Sequence, residues 1–312
     1  MRNGRGCSRC CPATRRRGRP PVWTKRQLIN GIRWRTRIGC PWRDVPANYG
    51  SWSAIYGLFR RWQRPGAWAV ILKMLQAFAE AAGAIEWQIS VDSTIMRAHQ
   101  RAAGARRNPD DQAEPPSGPG EREPGDHALG RSRGGWTAKR HLTCEDRCRV
   151  MSMLLTGGQA GDSPHFAAVL DQIEIPTLGS RARRRPDRVL ADNAYSSRGN
   201  RNWLRRRGIK ATIPVPAGQA GHRRARGSAG GRPSAFDPVI YRDRNTIERG
   251  INQLKQHREV ATRFANSPSA TLRPSTSQRS TNGSVTNEQW GGGGRDPPRT
   301  TQPQPQTRSE RW

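Results

Sequence analysis

Apolar residues at helical spacing mark a compact unit near the start of the chain. Thr24 and Gln27 are placed as a capping box, and they predict a helix that runs to about Ile38, where Gly39 would stop it. Two later stretches repeat the spacing i, i+3, i+4, i+7: Ile55, Leu58, Phe59 and Trp62, then Trp68, Ile71, Leu72, Leu75 and Ala79. We therefore expect residues 23–83 to form a helical domain around one shared core.

From residue 85 the pattern changes to short apolar runs that alternate with helical segments. The runs predict strands at 85–91, 137–144, 150–156, 188–191 and 210–215. Helices are expected to begin at Ser163 and Ser197. Strands that alternate with helices are typical of the α/β class, so we expect one such domain over residues 85–264.

The charge of the chain points to a polyanionic partner. Lys and Arg number 55 against 24 Asp and Glu, which gives a formal charge of +31 over 312 residues. Nucleic acid is the commonest partner of so basic a chain. The alternative is a basic, poorly folded chain, since only 33% of the residues are hydrophobic. No apolar stretch is long enough to span a membrane and no signal peptide is evident, so we expect a cytoplasmic, nucleoid-associated protein.

Several basic segments are candidates for DNA contact. We expect residues 1–22 to form a disordered basic arm, where Cys7, Cys10 and Cys11 resemble half of a zinc site without its second pair. Residues 217–235 are expected to track the DNA backbone, or else to form a flexible loop, and residues 108–128 to form a mobile connector. The outer faces of the helical unit carry cations that suit a helix-turn-helix-like contact, although an ordinary solvated face has the same pattern: Lys25, Arg26, Arg33, Arg35, Arg37, Arg60, Arg61 and Arg64.

Three carboxylates stand out in a chain so poor in acids. Asp92 and Asp192 each follow an apolar run directly, where a strand delivers a side chain to the sheet edge at which ligands gather. Glu248 lies on a later predicted helix. Three converging carboxylates would suit Mg²⁺ or Mn²⁺, and two such ions can cut or exchange phosphodiesters. The alternative is that Asp92 caps a turn and that Glu248 pairs with Arg244 or Lys255.

The segment from Tyr241 to Lys255 combines the reactive side chains on one predicted helix. At α-helical geometry Tyr241, Arg244, Glu248 and Lys255 fall within an arc of roughly 60°. A carboxylate flanked by two cations and a phenol suits phosphate chemistry. An adjoining apolar stripe should dock this helix on the sheet: Ile247, Ile251 and Leu254.

Six segments follow one another in the order of a known family: residues 91–100 (VDSTIMRAHQ), 129–135 (LGRSRGG), 137–141 (TAKRH), 155–163 (LTGGQAGDS), 190–195 (LADNAY) and 241–255. Together they resemble bacterial insertion-sequence transposases with an Asp, Asp, Glu active site, and the Tyr, Arg, Glu and Lys of 241–255 resemble the insertion-sequence-five signature. Residues 39–46 (GCPWRDVP) also resemble the helical module that precedes the catalytic domain in that family. The resemblance covers roughly residues 18–264.

This resemblance implies an RNase H-like α/β catalytic domain, with a mixed sheet and helices, after a small helical DNA-binding-like domain. Asp92, Asp192 and Glu248 would be the catalytic, metal-binding triad with two Mg²⁺ or Mn²⁺ ions. Tyr241, Arg244 and Lys255 would contact double-stranded DNA, both element terminal repeats and target. The reaction implied is hydrolysis at an element end followed by attack of the freed 3′-hydroxyl on target DNA, in a homodimer or larger synaptic assembly.

The chain also departs from the family pattern. Asn193 and Ser196 replace a usual Lys and a usual acid, and neither change removes a proposed ligand. Residues 265–312 are mostly Ser, Thr, Gly, Gln, Pro and Arg, so we expect a disordered, aberrant tail in place of an apolar closing segment. Two hypotheses follow: a metal-dependent transposase, active or crippled, and a non-catalytic DNA-binding remnant that recognises element ends.

Overall fold

The structure is a computed structural model that describes residues 22–63, 66–103, 127–177 and 179–264. The expectations for the basic arm, the cysteines at 7, 10 and 11, Arg64, nearly all of the connector and the tail concern residues outside these ranges. Within the described ranges, no helix is long and apolar enough to cross a membrane.

The first part of the chain is helical, as its spacing predicts. This part contains helices α1 (Lys25–Ile38), α2 (Trp52–Gln63) and α3 (Ala67–Ala81), with short 3₁₀ turns at Trp42–Asp44 and Ala47–Tyr49 between α1 and α2. The capping box is confirmed. The backbone N–H of Gln27 donates to Thr24 Oγ1 at 3.2 Å, and the backbone N–H of Thr24 donates to Gln27 Oε1 at 3.1 Å. Gly39 ends α1 with φ of 73°, in the left-handed region that favours glycine.

A single apolar cluster joins these helices. It contains Leu28 and Ile32 of α1, Ile55 and Leu58 of α2, and Trp68 of α3. The Trp68 ring packs edge-on against the ring of Trp62, with 5.1 Å between centroids. The helical unit thus has its own core, while its division from the α/β unit as a separate domain stays a prediction.

The prediction that all its cations face outward is wrong for Arg35. The Arg35 side chain is only 13% exposed, forms an ion pair with Glu259 of the α/β unit, and stacks over the Trp42 ring at 4.3 Å. Arg33 is half-buried, and this burial, with the nearby charge of Arg26, lowers its pKa. Helical spacing identifies a polar face but does not show whether another part of the fold covers it.

The second part of the chain is built on one mixed sheet of seven strands. They are β1 (Gln88–Ala98), β2 (Gly130–Ser132), β3 (Gly135–Glu145), β4 (Val150–Gly157), β7 (Arg188–Ala191), β8 (Lys210–Thr212) and β9 (Thr262–Arg263). Strands β5 (Ile175–Thr177) and β6 (Ser180–Arg183) form a separate pair. Across the main sheet the order is β4-β3-β1-β7-β8; β1, β3 and β4 pair antiparallel, while β7 and β8 continue parallel to β1. This is the mixed sheet of an RNase H-like domain.

One strand boundary differs from its prediction in a way that matters. The sequence places the end of the first strand at Val91, whereas β1 continues to Ala98 because β3 pairs with it as far as Arg97. Asp92 therefore lies in the middle of a strand. The strand predicted at 210–215 is shorter than expected, because β8 stops at Thr212.

Helices cover both faces of the sheet. On one face, Ile89 and Val91 pack with α5 (Phe166–Asp171) and with Leu204 of α6 (Arg198–Arg206). On the other face lies α9 (Asn245–Lys255), preceded by α8 (Pro238–Tyr241) and followed by α10 (Arg258–Ala261). The other α-helices of the described ranges are α4 (Gln100–Ala103) and α7 (Ala217–Ala225). The loop alternative for residues 217–235 is thus wrong for its first half.

The helical unit rests on the α/β unit at more than one place. The Arg35–Glu259 pair links α1 to α10, and Gln76 of α3 donates to the carbonyls of Val150 and Met151, each at 3.4 Å. These contacts place the helical unit against the elements that follow α9 and against the start of β4.

Candidate active site

Two of the three predicted acids lie side by side. Strands β1 and β7 pair in parallel with Val91 opposite Ala191, so the next residue on each chain is Asp92 or Asp192. Neighbouring strands are about 4.8 Å apart. Both residues also have the same parity along their strands, so both leave the sheet on the face that α9 covers.

Local hydrogen bonds orient both carboxylates. Asp92 Oδ1 accepts from the Ser93 amide at 2.7 Å. Asp192 caps the short turn at Asn193–Tyr195, where its Oδ1 accepts from the Ala194 amide at 3.0 Å. The turn-capping role that the sequence suggested for Asp92 therefore belongs to Asp192.

The apolar stripe of α9 positions the third acid. Ile247, Ile251 and Leu254 are buried and pack against Leu142 and Cys144 of β3. This docking confirms the predicted stripe. It leaves Glu248 at the exposed edge of the interface, with 52% of its side chain accessible.

Arg244 joins two of the acids. Its Nη2 donates to Asp92 Oδ2 at 3.0 Å, and its Nη1 donates to Glu248 Oε1 at 2.7 Å. The Arg244 side chain is only 14% exposed. The pairing of Glu248 with Arg244 that the sequence offered as an alternative therefore coexists with the approach of Glu248 to Asp92.

The electrostatics of the site show crowded negative charge. Burial raises the pKa of Asp92, and the charges of Asp192 and Glu248 raise it further, against the lowering effect of the Ser93 amide and Arg244. Burial alone would lower the pKa of Arg244, but the carboxylates around it raise it. A cation among these acids is thus stabilised.

Tyr241 lies beside the acids, whereas Lys255 is farther along. Burial and the charges of Asp192, Glu248 and Asp92 raise the pKa of Tyr241, although Arg244 opposes them. The Tyr241 ring also packs against Phe236, with 5.3 Å between centroids. Lys255 is exposed on the last turn of α9, about 10 Å along the axis from Glu248.

The single regular helix predicted for residues 241–255 is wrong in detail. Residues Arg242–Arg244 form a 3₁₀ turn between α8 and α9. The arc of roughly 60°, which assumes 100° per residue throughout, therefore applies only within α9. Arg244, at the end of this turn, contacts both Asp92 and Glu248.

The donor set fits a hard divalent cation in its chemistry. Carboxylate oxygens are the ligands that Mg²⁺ and Mn²⁺ prefer, and Asp92 and Asp192 lie on the same face of two adjacent strands. In the described ranges, however, no three His, Cys, Asp or Glu side chains lie close enough together to hold one ion. The guanidinium of Arg244 contacts Asp92 and Glu248 in that region.

The residue-level predictions missed a fourth acid near the site. Asp162 accepts a hydrogen bond from the hydroxyl of Ser93, the residue after Asp92. The sequence does contain a signal for Asp162, because this residue lies in segment 155–163, which resembles the family. No role for that segment is predicted from the sequence.

Two family models match the chain. Residues 8–72 match a family described as a transposase of the IS4/5 family. Residues 84–272, more than half of the 312, match the family described as the transposase DDE domain. Together the two matches cover both the helical and the α/β unit.

The chain is also similar to two curated bacterial proteins. It is 40% identical over 89 residues to the uncharacterized protein y4sN of Sinorhizobium fredii, a match over 28% of this chain and 67% of that one. It is 36% identical over 84 residues to the insertion element IS402 uncharacterized 16.2 kDa protein of Burkholderia cepacia, which covers 26% of this chain and 56% of that one. The chain thus spans only about half of the second relative.

Solved structures of Mos1 complexes show a weak global likeness. The Mos1 strand transfer complex matches with a TM-score of 0.25 and 11% identity, over 86% of this chain and 79% of that one. A Mos1 mariner paired-end complex with Mn matches with a TM-score of 0.22 and 11% identity, over 80% and 81% of the two chains. Likeness at this level cannot align individual residues. The two family matches, which follow the order of the helical and α/β units, establish that the chain belongs to the DDE transposases of the IS4/5 family.

Proposed function

We propose that this chain cleaves the ends of an insertion element and joins them to target DNA. In the first step water attacks a phosphodiester at the element end and releases a 3′-hydroxyl. In the second step that hydroxyl attacks a phosphodiester of the target, and the target strand leaves as a new 3′-hydroxyl. Asp92, Asp192 and Glu248 are the proposed catalytic residues.

One observation carries this proposal: the parallel register of β1 and β7 sets Asp92 beside Asp192, and Arg244 ties Glu248 to Asp92. Acids from three distant parts of the chain thus lie near the contact between the sheet and α9, which supports a shared role. The raised pKa of Asp92 supports the proposal, because acids whose pKa is shifted by burial and by facing like charges are typical of functional sites.

The cations and the phenol near the acids suit the DNA backbone. We propose that Arg244 and Lys255 neutralise phosphate oxygens near the cleaved bond, since a guanidinium can bind phosphate through two hydrogen bonds. Tyr241 would stack on a displaced base or donate to a phosphate. The double-stranded DNA of the element ends and of the target would be the partners, in at least a dimer, within the cytoplasm.

Asp92, Asp192 and Glu248 are the residues that would hold Mg²⁺ or Mn²⁺, with two ions expected. Such ions, when bound, supply Lewis-acid activation of the phosphate and of the attacking oxygen. Arg244 would then exchange its contact with Asp92 and Glu248 for a contact with DNA phosphate, because a guanidinium and a metal ion compete for the same carboxylate oxygens.

A strand-transfer assay tests the proposal. A labelled element-end duplex is incubated with the full chain, a target plasmid and Mg²⁺ or Mn²⁺, and the nicked and joined products are separated by electrophoresis. We expect Asp92→Asn and Glu248→Gln to lose both products. The matched control is Asp187→Asn, an exposed acid 69% accessible that pairs with Arg183, which should retain activity.

The second candidate is a DNA-binding remnant that recognises element ends without cutting them. The observation in its favour is the Arg244 guanidinium, which holds Asp92 and Glu248 in the place where an ion would lie. The same assay separates the two functions. Binding of the duplex by the wild-type chain with no nicking in either metal supports the remnant and rejects the enzyme.

A further inference from the structure

Several matched segments contribute to a second cluster that the acidic site does not use. Ser93 follows Asp92, Lys139 and His141 come from segment 137–141, and Asp162 comes from segment 155–163. In the structure they converge on one carboxylate. This convergence of segments that lie far apart in the chain calls for a common role.

Asp162 is the centre of this cluster. Its Oδ1 accepts from Ser93 Oγ at 2.6 Å and from Lys139 Nζ at 3.0 Å, and His141 Nδ1 lies 3.8 Å away. The side chains are largely enclosed, with 12% of Lys139 and 29% of Asp162 exposed. The carboxylate is thus held by a hydroxyl and an ammonium in a sheltered position.

The charges in the cluster balance. Burial acts to raise the pKa of Asp162, but the hydrogen bonds from Ser93 and Lys139 and the charge of Lys139 outweigh it, so the pKa is lowered. Burial and the neighbouring His165 lower the pKa of His141 to about 4, so this imidazole is neutral at neutral pH. One carboxylate therefore faces one ammonium.

The cluster lies on the opposite face of the sheet from Asp92. Successive residues of a strand point to opposite faces, so Ser93 points away from α9, towards its cross-strand neighbour His141. The two faces are connected through one residue. The Ser93 hydroxyl donates to Asp162, while the Ser93 amide donates to Asp92 Oδ1.

Tyr195 brings the second strand end into the same neighbourhood. This residue belongs to the turn that Asp192 caps, and its hydroxyl is buried. Burial, and then the charges of Asp162, Asp92 and Asp192, raise its pKa. The carboxylate of Asp162 is thus close enough to influence groups that follow each of the two paired acids.

We propose that Asp162 is a positioning residue, which fixes Ser93 and through the Ser93 amide sets the direction of the Asp92 carboxylate. This inference rests on the proposed function, in which Asp92 holds a metal ion. Groups that orient a metal ligand commonly affect metal affinity by about 10–100-fold when they are replaced. The hydroxyl of Ser93 and the charge of Asp162 should therefore act as one unit.

The test measures Mn²⁺ binding to the full chain by titration calorimetry, together with thermal unfolding without metal. We expect Asp162→Asn and Ser93→Ala each to weaken Mn²⁺ binding by about 10–100-fold. The variant that carries both changes should have an Mn²⁺ affinity no lower than that of the single variant with the lower affinity, because both changes break the same chain of contacts. Ser93→Thr keeps the hydroxyl and should bind as wild type does.

A matched control is Asp171→Asn, which removes an acid that is 52% exposed and paired with Arg207 on the surface. It should bind Mn²⁺ as wild type does. Should Asp162→Asn fail to fold, the comparison of Ser93→Ala with Ser93→Thr decides the question, since neither changes a charge.

Unchanged Mn²⁺ affinity in Ser93→Ala overturns the inference. So does a double variant whose loss of Mn²⁺ affinity equals the product of the two single losses. In both results wild type binds Mn²⁺, so the proposed function survives. A wild-type chain that binds no Mn²⁺ overturns the proposed function, and this inference with it.

Discussion

Removal of the Ile247 side chain tests whether α9 is held on the sheet as described. Ile247 is fully buried, with 0% of its surface accessible, and it packs with Leu142, Cys144 and Val150. Ile247→Ala removes three buried carbons, for which the transfer free energy is roughly 2.4 kcal/mol at ~0.8 kcal/mol each. The residual cavity adds to this cost, so we expect a loss of about 3–4 kcal/mol in the free energy of unfolding.

Urea denaturation followed by circular dichroism measures this loss. The control is Ile95→Ala on β1, which deletes the same atoms from a side chain that is 47% exposed. It should cost about 1 kcal/mol or less. A loss in Ile247→Ala no larger than in Ile95→Ala would refute the docking of α9 through this stripe. In the strand-transfer assay, Ile247→Ala should also lose activity below its melting point, because the neighbouring Glu248 is no longer positioned.

Three further predictions concern other parts of the fold. Arg35→Met should lower the free energy of unfolding by about 3 kcal/mol, because Glu259 keeps a largely buried charge without its partner, and the double variant with Glu259→Gln should recover part of the loss in urea denaturation. Thr24→Ala should cost about 1 kcal/mol through loss of the cap, whereas Thr24→Ser should not, as measured by thermal unfolding. Burial and the adjacent Glu86 raise the pKa of Asp146 to about 7, so folding favours its protonated form and stability is lost as the pH rises through about 7. Asp146→Asn should therefore gain roughly 2–4 °C in melting temperature over wild type at pH 8, after allowance for solvent screening, and much less at pH 5; an equal gain at both pH values would contradict this origin.

The features that the sequence predicts well are local. The cap at Thr24 depends on residues three positions apart, and the stripe of α9 depends on one helical period, so neighbouring residues determine both. The pairing of Asp92 with Asp192 is also accessible from sequence, because acids that follow parallel strands meet at one sheet edge.

The features that the sequence mispredicts depend on distant partners. β1 continues past Asp92 because β3, some forty residues later, supplies hydrogen bonds to it. Arg35 is covered by its contact with Glu259, which lies more than two hundred residues later in the chain. No local pattern reports such partners, since a polar face looks the same whether solvent or another element covers it.

The two contacts of Arg244 explain why neither of the two predictions for Glu248, convergence with the aspartates or local pairing with Arg244, was complete. Pattern reasoning treated convergence of the acids and local pairing of Glu248 as exclusive. The guanidinium of Arg244 contacts both Glu248, four residues later, and Asp92, from the distant first strand. The local pair and the long-range contact therefore coexist in one side chain.

Because Asp92 and Ser93 alternate between the two faces of β1, the site depends on the register in which β1 pairs with β7. A shift of one residue would put a serine among the acids and a carboxylate among the apolar groups of the opposite face. A shift of two residues would restore the faces, yet it would carry Asp92 about 7 Å away from Asp192. We therefore expect an insertion or deletion in β1 before Asp92 to separate the two acids, whereas one beyond Ala98 leaves this register intact.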